Sequence, residues 1–317
     1  MLREAVYADP FSDEPRAVLG DALLERGDPR GELIQLQLAN RGPARVAELL
    51  AKRGRTWLDG LQHSGHGGRN EPIIRSFAFR RGFVARTAIQ KLPNAAELGV
   101  PAWRTVEELA LPADRPVEIM RMLAHPHLAQ VRALELPCHL LARLDLDREL
   151  DRVRATMPLA MLPPRLCIRE LIVTQGYVQD TRPARLLAWI AEQPQAHALR
   201  SVVIEPSDEA LGAVVAWLRA GALPDLERVA LDADAGWPWR IELARAAGGI
   251  AIDLTWRAAT ASRWPSAMIA ALPRGSVATI AARSIVSLDF YDHARLEAEL
   301  AEAARHHRLP PPRLELR

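Results

Sequence analysis

One spacing of apolar residues recurs along the chain: an apolar position, two variable ones, an apolar one, one variable, and a final apolar one. Val106-Leu109-Leu111, Val131-Leu134-Leu136, Ile168-Leu171-Val173, Leu199-Val202-Ile204, Leu226-Val229-Leu231 and Ile285-Leu288-Phe290 carry it. Ile252-Leu254-Trp256 is a looser copy, and Val84-Thr87-Ile89 reads as the first. The first residues of successive copies stand 25, 37, 31 and 27 apart from Val106 to Leu226. The last two apolar positions alternate as in a strand with one buried face. Helix-like runs follow, among them RPARLLAWIAEQ from Arg182, DEALGAVVAWLRAG from Asp208 and DHARLEAELAEAARHH from Asp292. One such strand–helix unit cannot bury its apolar face alone, whereas stacked units share a continuous core. The long interval between Leu136 and Ile168 holds Cys138, Asp145, Asp147 and several prolines, and reads as an inserted loop or helix.

The N-terminal pattern differs. In EPRAVLGDALLERG, Val18, Leu19, Ala22 and Leu23 fall at helical spacing, and Gly27 suits a helix stop. Asp28-Pro29 restarts the chain, and GELIQLQLA presents Leu33, Ile34, Leu36 and Leu38. A third helix over roughly 43–53 carries Val46, Leu49 and Leu50, and the glycine-rich GLQHSGHGGR, residues 60–69, is a loop. Within this region, GDALLERGDPRGELIQLQLA resembles the short bacterial repeat-companion domain. The matching positions are Asp21, Leu24, Glu25, Arg26, Gly27, Asp28, Arg30, Gly31, Glu32, Leu33, Ile34 and Gln37; Ala22-Leu23 stand where an aromatic is usual. FRRGFVART, residues 79–87, resembles the segment leading into the repeats of such proteins. The resemblance implies an architecture, a small helical domain ahead of repeats, and no catalytic residues. Asp21, Arg26, Asp28 and Arg30 are expected to form the internal ion pairs of the helix–turn–helix.

The expected fold is therefore α/β: a leucine-rich-repeat-like solenoid with parallel strands on the concave side, helices on the convex side, and a small helical domain in front. The expected divisions are a helical domain over 1–60, a Gly/Arg-rich linker over 61–78 and degenerate repeats over 79–317. The asparagine usual after such strands is absent, with Pro137, Thr174 or Glu205 in that region. A doubly wound α/β sheet also alternates strands and helices. The nucleotide-binding versions are disfavoured, because no glycine-rich strand-to-helix turn and no GxxxxGKS/T string occurs.

In a solenoid the variable strand positions face outward. They are Glu108; Glu135; Glu170, Ile172 and Thr174; Ser201, Val203 and Glu205; Arg228, Ala230 and Asp232; Asp253 and Thr255; and Ser287, Asp289 and Tyr291. Seven acids stand against one arginine, so the expectation is an acidic face that docks a basic protein segment. Neighbours in one column, Glu205 with Asp232 and Asp253 with Asp289, would repel across strands about 4.8 Å apart. The simpler alternative is that water-facing strand positions are merely polar.

Charge totals sharpen this. The 317 residues carry 41 Lys+Arg and 39 Asp+Glu, a net charge of +2, and only Lys52 and Lys91 are lysines. Residues 1–40 sum to −4, residues 41–91 to +8 and residues 92–317 to −2. Within the basic band Arg69, Arg75, Arg80, Arg81 and Arg86 form a second candidate surface, for nucleic acid or an acidic protein. The band can equally pair with the acidic N-terminal segment of the same molecule.

Candidate chemistry is sparse. Composition, 49% apolar, supports a large core, and two cysteines, Cys138 and Cys167, make neither a disulfide scaffold nor a four-cysteine zinc site. His63 and His66, and His125 and His127, lack further ligands at zinc spacing. No GxSxG, HExxH or catalytic-cysteine string occurs. The expectation is a non-enzymatic recognition module with no metal and no cofactor; an enzyme of unrecognised type is the remaining alternative. Trp237 and Trp239 are a candidate aromatic hot spot, with core packing as the other reading. An acidic N-terminus without an apolar stretch, and no run of 18 apolar residues, predict a soluble, cytoplasmic protein.

Overall fold

The computed structural model describes residues 1–61, 72–112, 115–144, 148–156, 162–174, 183–193, 196–207, 209–221, 223–232, 239–257, 266–284, 290–312 and 314–316. The chain is mixed α/β and divides into two units. One comprises Met1–Leu136 with Arg143–Leu146, the other Pro137–Ala142 with Asp147–Arg317. The N-terminal helices belong to the same unit as the first strands.

The first unit begins with four helices, α1 (Leu2–Ala8), α2 (Glu14–Leu24), α3 (Pro29–Leu38) and α4 (Pro43–Arg53). The last three stand where apolar spacing places them; α1, with only Val6 and Tyr7 buried, is too short to register as a pattern. Proline opens α3 and α4 at a position whose N–H needs no helical partner. The Asp28 carboxylate caps α3 by accepting the Arg30 N–H at 2.9 Å. α2 and α3 meet through Gly20 and Gly31. A methyl group at Gly31 would lie 2.6 Å from the Gly20 carbonyl oxygen, so the close crossing requires glycine there.

Next come β1 (Ile74–Arg80) and β2 (Phe83–Ile89), an antiparallel hairpin. Arg81 and Gly82 form its two-residue turn, with φ of 52° and 80°, the left-handed pair that a tight hairpin needs. Then follow α5 (Ala95–Leu98), β3 (Glu108–Ala110), α6 (Pro116–Leu123) and β4 (Ala133–Pro137). β2, β3 and β4 pair in parallel, with Thr87 beside Leu109 and Leu109 beside Leu134. Register thus matches the central position of successive copies of the apolar pattern, and all three side chains are buried.

The second unit contains α7 (Cys138–Leu141), β5 (Glu149–Thr156), β6 (Cys167–Thr174), α8 (Pro183–Ala191), β7 (Ser201–Ile204), α9 (Ala210–Arg219), β8 (Arg228–Leu231), β9 (Trp239–Ala246), β10 (Gly249–Trp256), α10 (Ser266–Ala270), β11 (Val277–Ser284), α11 (Phe290–His306) and β12 (Leu314–Leu316). β5 to β8 are parallel. Val153, Leu171, Val202 and Val229 lie side by side in register, each 0% exposed.

Three features depart from expectation. The interval between Leu136 and Ile168 is not only a loop or helix: it holds β5, whose Leu150, Val153 and Ala155 pair with Ile168, Leu171 and Val173 as one more copy of the pattern. Parallel order is interrupted, because β9 pairs antiparallel with both β8 and β10. β10 and β11, then β11 and β12, return to parallel pairing. Finally, β11 lies at Val277–Ser284, ahead of the expected copy Ile285-Leu288-Phe290; residues 285–289 of that copy lie outside the described residues, and Phe290 begins α11. Among the described residues no helix is long and apolar enough to cross a membrane.

Candidate functional site

Alternation puts one side of each parallel strand in the core and the other outward, and register turns the outward positions into rows. In the second unit, Arg152, Glu170, Ser201 and Arg228 form one row across β5, β6, β7 and β8. Arg152 Nε donates to Glu170 Oε2. Ser201 Oγ donates to Glu170 Oε1 at 3.4 Å, and Arg228 Nε donates to Ser201 Oγ at 3.1 Å. The Arg228 guanidinium also lies 3.7 Å from Glu170 Oε1. Glu170 is thus flanked by two arginines that remain about half exposed, 45% for Arg152 and 49% for Arg228.

The same arrangement continues along the sheet. Asp232 is held by Arg240 at 2.7 Å and Arg257 at 2.8 Å. Arg240 also bonds Glu242 at 2.7 Å, its neighbour two positions on in β9. Arg283 in β11 reaches Asp253 at 3.2 Å and Thr255 Oγ1 at 3.0 Å. In the first unit Arg86 pairs with Glu135 at 2.9 Å and stands 4.0 Å from Glu108, which Arg80 reaches at 3.5 Å.

The expected acidic face is therefore of mixed charge. Glu108, Glu135, Glu170, Asp232 and Asp253 each sit against arginine, and Glu205, half-buried, follows β7. Asp289 lies outside the described residues. The arginines come from two places: in the second unit β5, β9 and β11 carry Arg152, Arg240 and Arg283, and none of these strands belongs to the expected pattern, whereas in the first unit Arg80 and Arg86 come from β1 and β2. Between Glu108 and Glu135 it is the Arg86 guanidinium that intervenes.

The basic band is likewise largely paired within the molecule. Arg80 and Arg81 both bond Glu107 at 2.9 Å, Arg81 also reaches Asp13 at 3.3 Å, and Arg86 bonds Glu135. Arg75 is exposed, and Arg69 lies outside the described residues. Trp239 is only 2% exposed, so it is core rather than a contact surface; Trp237 lies outside the described residues.

The residues of the N-terminal resemblance build a clamp on the hairpin turn. Arg30, 1% exposed, bonds both Asp59 oxygens at 2.7 and 2.6 Å and the Gly82 carbonyl at 3.2 Å. Arg16, equally buried, donates to the carbonyl oxygens of Pro10 and Arg81. The Arg30 guanidinium lies 4.5 Å and that of Arg16 4.9 Å from the Phe83 ring centroid. Burial, and then the neighbouring Arg81 charge, pull the Arg16 pKa down to about 10. Tyr7 donates to Asp59 at 2.9 Å, and burial followed by the Asp59 charge holds its phenol well above the ordinary value. The expected pairing among Asp21, Arg26, Asp28 and Arg30 is thus replaced: Arg30 reaches Asp59, Asp28 caps α3, and Asp21 accepts from Gln35 at 2.8 Å. No feature of the sequence between residues 54 and 61 marks Asp59 as the partner.

Compared with protein-family models, with curated proteins and with solved structures, the chain matches none.

Proposed function

We propose that the chain is a non-enzymatic protein-recognition module, an adaptor or regulator, built as a leucine-rich-repeat-like solenoid interrupted by one antiparallel hairpin. The support for the solenoid reading is the in-register stacking of Val153, Leu171, Val202 and Val229. The observation that carries the recognition reading is the row Arg152, Glu170, Ser201 and Arg228 on the outward side of those strands. Four paired strands hold it, and its two arginine side chains remain about half exposed. Such a row offers donors and acceptors at fixed spacing to a partner of complementary, alternating charge. Charge complementarity of this kind governs encounter rate and register more than bulk affinity.

Nucleic-acid binding through residues 69–91 draws less support, since Arg80, Arg81 and Arg86 already neutralise carboxylates of the same unit. The test is affinity capture from the native host with the intact chain and with an Arg152→Glu/Arg228→Glu variant of unchanged circular dichroism. Partners that depend on the row are lost from the variant. If every recovered partner binds both forms equally, the face is not the recognition surface.

A further inference from the structure

The first unit carries a second surface of different chemistry. A groove of about 460 Å³ opens between α3, α4 and the end of β1. Pro43, Val46, Ala47 and Leu50 line it from α4, and Leu36 and Phe79 complete its floor. These four α4 positions follow i, i+3, i+4 and i+7, one stripe of a helix. Leu49, on another side of α4, is the residue that α4 buries. Pro43 and Ala47 are exposed, and Leu36, Val46 and Leu50 are half-buried. α4 therefore has one apolar contact inward and a second apolar stripe facing the groove.

The rim is cationic. Arg41, Arg80 and Arg81 stand around the mouth. Arg80 and Arg81 have glutamate partners, whereas Arg41 is exposed and has no ion pair among the described residues. Its position is fixed by the turn between α3 and α4. Asn40 and Gly42 on either side of it are both left-handed, with φ of 49° and 59°, and the Arg41 N–H donates to the Leu36 carbonyl at 2.9 Å.

We infer that this groove binds an acidic amphipathic helix of a partner protein, its apolar side chains seated on Leu36, Val46, Leu50 and Phe79 and its carboxylates facing Arg41 and the exposed side of Arg80. A helical occupant fits a floor made by an i, i+3, i+4, i+7 stripe. Negative charge fits the rim, where Arg41 stands exposed with no ion pair among the described residues and the Arg80 side chain stays about half exposed beside its glutamate partners. A second copy fits poorly, because it would set the same arginine rim against itself. This surface is separate from the outward row of the second unit and stands or falls independently of it.

The probe is a fluorescein-labelled synthetic helix with leucine at i, i+3, i+4 and i+7 and glutamate at the outward positions. It is titrated by fluorescence anisotropy against the full chain, beside an analogue with lysine in place of glutamate. The expected result is saturable binding of the acidic peptide and at least tenfold weaker binding of the lysine analogue. Val46→Glu and Arg41→Glu each change an exposed or half-exposed side chain, so the fold is retained, as circular dichroism checks. Each is expected to raise Kd at least tenfold, while Arg219→Glu, in the other unit, leaves it unchanged. Equal binding of the two peptides, indifference to both groove substitutions, or displacement of the peptide by a single-stranded oligonucleotide would overturn the inference. So would the lack of saturable binding up to about 1 mM, the limit of weak specific recognition.

Discussion

Gly82 shows how much of the first unit depends on single atoms. Its φ is 80°, and an added Cβ would fall 2.1 Å from Ile34 Cγ1. A left-handed alanine costs about 1–2 kcal/mol, and overpacking against an immobile side chain adds about 1–3. Gly82→Ala is therefore expected to lower the free energy of unfolding by about 2–5 kcal/mol, read by guanidinium denaturation. Gly27→Ala is the control: its φ is 69° but nothing lies within 4 Å of the added methyl, so only the conformational cost applies. Equal losses in the two variants would show that Ile34 yields freely. Tyr7 supplies a pH test at the same scale. Its folded-state pKa is raised, by burial first and by Asp59 second. Above about pH 10, the ordinary value, the unfolded chain releases the phenolic proton while the folded chain keeps it. Stability thus falls as pH rises beyond 10, and Tyr7→Phe is expected to remove that part of the decline. It costs about 1 kcal/mol at neutral pH through the lost bond to Asp59. An alkaline decline of the same slope in the variant would exclude Tyr7 as its cause.

At the scale of elements, β5 is the most direct test of the repeat reading. Val153 is 0% exposed and sits beside Leu171 in register. Val153→Ala is expected to cost about 2 kcal/mol, from two lost methyl groups and the space they leave. In an inserted surface loop the same change would stay within about 0.5 kcal/mol. Glu170→Gln probes the row above it. With Glu170 only 14% exposed, and two guanidinium groups deprived of their shared counter-charge, a loss of about 1–2 kcal/mol is expected in urea denaturation. Arg152→Gln costs less, because Arg228 still serves the carboxylate. What the sequence made visible follows from side-chain size. Leucine, isoleucine and valine at the three apolar positions exposed β3, β4, β6, β7 and β8, whereas Ala155 closes the β5 copy and Ala282 occupies the matching place in β11. Alanine is weakly apolar and as common in helices as in cores, so it carries no strand signal. The hidden strands then concealed the charge of the face, since Arg152, Arg240 and Arg283 came with them. The groove was hidden for another reason: Leu36, Val46 and Leu50 each read as ordinary core positions, and only the packing of α3 against α4 leaves them half in water.

For the molecule as a whole, the division into two units makes a prediction about cooperativity. Each has its own core. Leu33, Ile34, Trp103, Leu109 and Ile119 fill the first, and Leu150, Val153, Leu171, Val202 and Trp239 belong to the second. Gly82 lies in the first unit and Val153 in the second, so Gly82→Ala and Val153→Ala address them separately. Calorimetry is expected to resolve two overlapping transitions. Each substitution should lower one midpoint by about 2–4 °C per kcal/mol and leave the other in place, the scale appropriate to units of roughly 150 residues. A single transition that both substitutions move intact would mean that the chain melts as one cooperative body. The recognition row and the arginine-rimmed groove would then share a common stability, so that a ligand at either site would raise the midpoint of the whole. With two transitions, the acidic helix is expected to raise only the midpoint that Gly82→Ala lowers, which locates the groove's contribution by thermodynamics alone.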